Sequence, residues 1–129
     1  MTALVRRARA LTGHPRIRIT LQPAGGWGGQ EQAVTRGTNH LRFLLPAQTL
    51  RLTTNAPLTY VADQTWFSLH TPISLLLGPD ETLDGGIEET ARWFEEATAR
   101  HWREWTRRLA VPLEWQEAVI RAAITLKLC

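Results

Sequence analysis

"ISLLLGPDETLDGGIEETARWFEEATARHWREWTRRL" (73–109) contains the switch that decides the fold. Its opening, "ISLLL" (73–77), follows Pro72 and ends at Gly78, which reads as a short strand bounded by turn residues. After "GPDETLDGG" (78–86) the apolar spacing changes to that of a helix. Glu88 and Glu89 fall in the first turn and Arg107 and Arg108 in the last, a polarity that suits the helix dipole at both ends. Pro112 stops the helix. Trp102, Trp105 and Leu109 are spaced i, i+3, i+7 and share a face, with Trp93 and Ala97 on a neighbouring stripe. The one domain boundary to draw lies near Gly85–Gly86.

Upstream of the switch, from Arg16 to about Gly78, the period is two. "RIRITL" (16–21) alternates strictly, with Ile17, Ile19 and Leu21 on one face. "LRFLL" (41–45), "TLRLT" (49–53), "LTYVA" (58–62) and "TWFSL" (65–69) follow as further strands. Pro46, Asn55–Ala56–Pro57, Asp63–Gln64 and His70–Thr71–Pro72 separate them, and proline cannot join a central ladder. "LVRRARAL" (4–11) fits a strand or a helical turn equally well. Downstream, Trp115 to Leu128 forms a second helix with two apolar stripes. Trp115, Val119, Ala122 and Leu126 make one; Ile120, Ile124 and Leu128 make the other. A helix apolar on two sides is built to lie between two layers. The expected fold class is therefore α+β: an antiparallel β-sandwich, or part of one, of about six to seven short strands, followed by two C-terminal helices.

With 129 residues, the chain suffices for one domain with a core of its own. Apolar content of 43% and charge of 21% fit a globular protein. Cys129 is the only cysteine, which excludes an internal disulfide framework and a cysteine-based zinc site. No run reaches the length of a membrane span, and "MTALVRRARALTG" (1–13) has no apolar core of a secretory signal, so neither membrane nor export is expected and the cytoplasm is the default. The net charge of +3 comes from scattered arginine; only "RRAR" (6–9) is dense, and no nucleic-acid module accompanies it. No nucleic-acid partner is expected.

Chemistry-bearing patterns are scarce. His14, His40, His70 and His101 lie in separate segments without a metal-ligand spacing, so neither metal nor cofactor is expected. Glu88–Glu89 and Glu95–Glu96 are adjacent pairs, which on a helix point about 100° apart and do not converge on one substrate atom. No catalytic residue is assigned. Trp27, flanked by two glycines on each side in "GGWGG" (25–29), is the candidate substrate-binding residue: its ring could stack on the apolar face of a sugar, or fold back onto the sheet. Three exposed tryptophans on the 85–111 helix would leave a large sticky patch, so that helix is expected to pack on something big.

"IEETARWFEEATARHWREWTRRL" (87–109) and "EWQEAVIRAAITLKLC" (114–129) resemble the junction region of bacterial family 15 glycoside hydrolases, the glucoamylase and trehalase family. There, an N-terminal β-sandwich runs into a linker helix of the form "EET..FW..W", and a segment "W.E.V.RSAL.LK.L" opens the catalytic (α/α)6 barrel. Glu88, Glu89, Thr90, Trp93, Phe94, Trp102 and Trp105 match the linker helix. Trp115, Glu117, Ala118, Val119, Arg121, Ala123, Leu126, Lys127 and Leu128 match the barrel-opening helix, with Ala122 where the family usually has Ser. "GHPRIRITLQPAGGWGG" (13–29) is similar to a family strand and turn, with Pro23, Trp27 and Gly28 in matching places and Gly25 replacing the usual Phe.

The resemblance implies a partial sandwich at 1–84, a linker helix at 85–111 and the first helix of a truncated barrel at 112–129. The family's glutamate acid, glutamate base and "W.YR" glucose-pocket stretch follow that helix and have no counterpart here. The implied function is that of a non-catalytic N-terminal-domain fragment of an inverting α-glucosidase acting on trehalose or malto-oligosaccharides, inactive alone. Trp93, Phe94, Trp102, Trp105, Trp115, Val119 and Leu126 would then be inter-domain packing residues. The implied partners are the missing barrel, or a second copy through the exposed apolar helices, with an α-glucan possible. The alternative is a stand-alone carbohydrate-binding or protein-interaction sandwich.

Overall fold

The computed structural model describes residues 3–24, 33–112 and 114–128. The elements run β1 (Leu4–Ala8), β2 (Arg16–Ile17), β3 (Ala33–Arg36), β4 (His40–Leu44), β5 (Thr49–Thr54), α1 (Leu58–Ala62), β6 (Phe67–Ser68), β7 (Ile73–Pro79), α2 (Ile87–Arg107) and α3 (Gln116–Leu128). Five strands form one antiparallel sheet in the order β1-β7-β5-β4-β3, and β2 pairs with β6 in a second, two-stranded sheet. The fold is α+β, with antiparallel sheets followed by helices at the C-terminal end. The chain divides into two compact units, Met1–Arg92 and Trp93–Cys129.

Within the first unit, β5 is the central strand. Its register places Leu52 between Leu41 of β4 and Leu77 of β7, and Leu50 opposite Phe43. Residues directly opposite share a face, so Leu41, Phe43, Leu50, Leu52, Ile73, Leu75 and Leu77 all point toward the second sheet. Phe67 and Leu69 come down from that layer, and Ile17, Ile19 and Leu21 pack against the cluster. Burying a Leu or Phe side chain contributes about 1.5–3 kcal/mol, and this shared face supplies most of the unit's apolar burial.

Side chains complete the ladder where it ends. The Thr54 hydroxyl donates to the Ser74 carbonyl at 2.8 Å and accepts the Ala56 N–H at 3.0 Å. Asn55 accepts the Ser74 N–H at 2.7 Å and donates to the Pro72 carbonyl at 3.2 Å. Buried Thr54 and Ser74 are thereby satisfied.

The 58–62 stretch corrects the strand expected there: it is helix α1. Leu58, Val61 and Ala62, at helical spacing, face the core. A five-residue window fits both periods, and the local ends decide it. Pro57 precedes the first turn. At the other end Gln64 takes φ 51°, its N–H bonds the Val61 carbonyl and the Thr65 N–H bonds the Tyr60 carbonyl, which is a Schellman closure. The 4–11 stretch resolves as β1 over Leu4–Ala8. In the 16–21 stretch only Arg16 and Ile17 are laddered, although burial alternates on to Pro23. The exposed strand β3 was not anticipated.

α2 and α3 occupy the expected positions. Trp102 and Trp105 meet edge-to-face with centroids 5.4 Å apart, as their spacing predicts. Arg107 is the last residue of α2, so Leu109 lies beyond the helix.

Candidate functional site

The face of the large sheet turned away from its apolar core carries the densest polar cluster. In β4 and β5, the polar positions of "LRFLL" and "TLRLT" alternate with the core leucines, so Arg42 and Arg51 stand directly opposite each other. Like charges in that position repel. Asp80, just past the end of β7, bridges them: Arg42 Nε donates to its Oδ1 at 2.9 Å, and Arg51 Nη1 lies 3.6 Å from the same oxygen. Arg51 is nearly buried, with 8% side-chain exposure. Its Nη2 donates to His40 Nδ1 at 3.1 Å, while its Nε has no hydrogen-bond partner among the described residues.

His40 sits where a tight hairpin puts it. The Gly37 N–H bonds the His40 carbonyl at 2.8 Å, closing the β3–β4 turn around Thr38 and Asn39. The imidazole folds over Gly37, and a Cβ at that position would overlap the ring. Burial is the main cause holding the His40 pKa below its ordinary value; the charges of Arg51 and Arg42 add to it, and Asp80 opposes them. With Nδ1 accepting from Arg51, the proton of the neutral ring belongs on Nε2. The Asn39 side-chain oxygen lies 3.2 Å from the same Nδ1.

This arrangement binds strands together more than it prepares chemistry. One carboxylate engages two guanidiniums, and the imidazole is committed at Nδ1. Around it, Glu88 lies 3.9 Å from Arg7 of β1 and 3.6 Å from Arg92 one turn on. Arg36 pairs with Asp63 at 2.8 Å. Among the described residues no group of three or more His, Cys, Asp or Glu is placed to hold a metal ion.

The candidates read from sequence are scattered by comparison. Trp27 lies outside the described residues. Trp93 is 62% exposed and meets Phe94 edge-to-face. Trp102, Trp105 and Val119 are half-buried, and Trp115 and Leu126 are about four-fifths exposed, at 80% and 78%. His14 and His70, distant in sequence, come together with ring centroids 4.7 Å apart. The Arg42–Arg51–His40–Asp80 cluster is not legible in the sequence because its bridging carboxylate, Asp80, lies 38 residues from Arg42. The available signal was the off-phase arginines of two neighbouring strand patterns, which reveals a face but not a register.

No protein-family model, curated protein or solved structure matches the chain, so its own residues carry the functional reading. No helix among the described residues is long and apolar enough to cross a membrane.

Proposed function

We propose that the chain is the non-catalytic, N-terminal part of an inverting α-glucosidase of the family 15 type, whose whole protein hydrolyses trehalose or malto-oligosaccharides. The observation that carries this reading is α3. It is 13 residues long, is rich in Val, Ile, Leu and Ala, and has no buried residue. A lone helix of that length is marginal in water, so packing against further structure is needed to sustain it. Trp115, at its start, takes φ 62°, a conformation that costs a bulky residue about 1–2 kcal/mol. The resemblance supplies the missing neighbour, a catalytic barrel that α3 opens. Trp93, Phe94, Trp102, Trp105, Trp115, Val119 and Leu126 would pack between the sandwich and that barrel.

Inverting hydrolysis needs an acid and a base roughly 6.5–9.5 Å apart with a water between them. On this reading both come from the barrel. The test is complementation. The purified chain alone should release no glucose from trehalose or maltose. Mixed with a family 15 barrel stripped of its own sandwich, it should co-elute with the barrel and raise its hydrolysis. Glucose release by the chain alone, or indifference to the barrel, rejects the proposal.

A second reading, a stand-alone carbohydrate-binding or protein-interaction sandwich, draws support from Trp66. This ring is 54% exposed beside the second sheet, with the Arg18 guanidinium 5.3 Å from its centroid. Malto-oligosaccharides would then change tryptophan fluorescence, and Trp27→Ala or Trp66→Ala would abolish the change.

A further inference from the structure

The second layer of the sandwich ends before the first does. From Ile17 to Ala24 burial alternates as in a strand: Ile17, Ile19, Leu21 and Pro23 are half-buried, and Arg18, Thr20, Gln22 and Ala24 are exposed. Yet the ladder with β6 covers only Arg16 and Ile17. Among the described residues no backbone hydrogen bond joins 18–24 to another segment. Among the described residues this stretch therefore offers unpaired backbone N–H and C=O groups like those of an open strand edge, with only Pro23 lacking an N–H.

The floor beside it is open in the same place. Leu52, Leu77 and Leu4 stand in register across β5, β7 and β1. Exposure climbs along that row, from 2% at Leu52, through half-buried Leu77, to 55% at Leu4. The cover therefore runs out toward β1. A cleft of about 180 Å³ opens there, lined by these three residues with Leu75, Ile19 and Leu21. Arg6 also lines it, pairing in register with Leu75 and hence on the core-facing side of the sheet. It has no carboxylate partner among the described residues.

We propose that this cleft and the free edge of 18–24 together receive an extended peptide strand from another polypeptide. The strand would pair with the 18–24 backbone, place alternate aliphatic side chains over Leu4 and Leu77, and set an acidic side chain against Arg6. Each feature selects against other occupants. A lipid tail would fill the cleft but leave the edge unpaired. A helix has no free backbone groups for that edge. An uncharged strand would leave Arg6 without its counter-ion. The inference does not rest on the glucosidase reading, since any strand of this pattern satisfies it.

The test uses the full chain and a fluorescein-labelled nine-residue peptide with Val or Ile at alternate positions and Glu at one of them. Anisotropy should show saturable binding. Two further peptides carry N-methyl groups on alternate amides, in opposite phases. One phase faces the 18–24 edge and should lose at least about tenfold in affinity; the other should bind like the parent. Leu4→Trp, at an already exposed position, should plug the cleft and weaken binding. Arg6→Glu should invert the preference between the Glu peptide and its Lys counterpart, by about fivefold or less for a partly exposed pair. Absence of saturable binding overturns the proposal. So does equal binding of both methylated peptides, which would mean apolar adhesion without strand pairing. An Arg6-sensitive dimer that excludes the peptide would make a second copy the occupant and reject a foreign strand.

Discussion

β5 and α3 are both short and both aliphatic, yet they occupy opposite extremes of burial. Four of the six β5 residues, Arg51 to Thr54, are buried, and both faces of the strand are engaged. Leucines face the second layer on one side, and Arg51 enters the polar cluster on the other. α3 has no buried residue along its whole length. The strand obtains its partners from within its own unit, through the 41–52–77 row and the Asp80 bridge. The helix carries two apolar stripes, and half-buried Val119, Ile120 and Ile124 are the most that either achieves. An element whose pattern is satisfied belongs to a finished core. An element whose pattern is unmet leaves apolar surface without a partner among the described residues.

Truncating each region is the strongest way to break that contrast. Leu52→Ala removes side-chain volume from a site with 2% exposure, so it should cost about 2–5 kcal/mol in urea unfolding. Leu126→Ala, at 78% exposure, should stay within about 0.5 kcal/mol. Similar losses at the two positions would mean that α3 is packed in solution, and the contrast would fail.

The β3–β4 hairpin offers a smaller effect on the buried side. Gly37→Ala forces its new methyl into the His40 imidazole, and the ring must leave Arg51 to make room. The expected loss is about 1–3 kcal/mol. In a His40→Ala background the same substitution should cost much less. A double-mutant cycle reads the difference, and additivity would show that the close approach is not what holds Gly37.

On the helical side the expected effect lies in association rather than stability. If α3 is an unmet interface, the isolated chain should self-associate with rising concentration in light scattering. Val119→Asp with Ile124→Asp should return it to a monomer with little change in unfolding. A wild-type chain that stays monomeric at high concentration would remove the main support for a barrel-facing role.

These contrasts also mark what the sequence makes legible. β4, β5 and β7 could be read because short apolar runs of period two or less are bounded by Pro46, Pro57 and Pro72, and α2 because charge polarity and tryptophan spacing agree. "LTYVA" misleads because Leu58, Tyr60 and Ala62 alternate while Leu58, Val61 and Ala62 also fit a helix; five residues cannot separate the periods. "AVTR" carries too few apolar residues to announce β3. The alternation of 17–21 is visible, but its pairing depends on a partner, β6, that is only two residues long. The polar cluster demands register. Knowing that Arg42 and Arg51 lie off the core face does not reveal that they oppose each other, nor that Asp80 returns between them.

The same cluster sets the mildest prediction, a pH dependence. In the folded chain burial and two guanidiniums hold the His40 pKa below 6.5, the value expected when the chain is unfolded. Between those two values the unfolded chain binds a proton that the folded chain refuses. Stability contributed by His40 is therefore fully present above about pH 6.5, declines as pH falls through that value, and levels off below the folded pKa. His40→Gln keeps an acceptor for Arg51 and removes the titration. Unfolding free energies measured from pH 7.5 to pH 5 should fall more steeply for wild type than for the variant. Because His40 is only partly buried and Asp80 offsets the arginines, the difference should be the smallest of the four effects. A wild-type curve that gains stability relative to His40→Gln on acidification would mean that the imidazole is welcomed as a cation. Asp80, not Arg51, would then be its dominant neighbour, and the bridge across β4 and β5 would have to be redrawn.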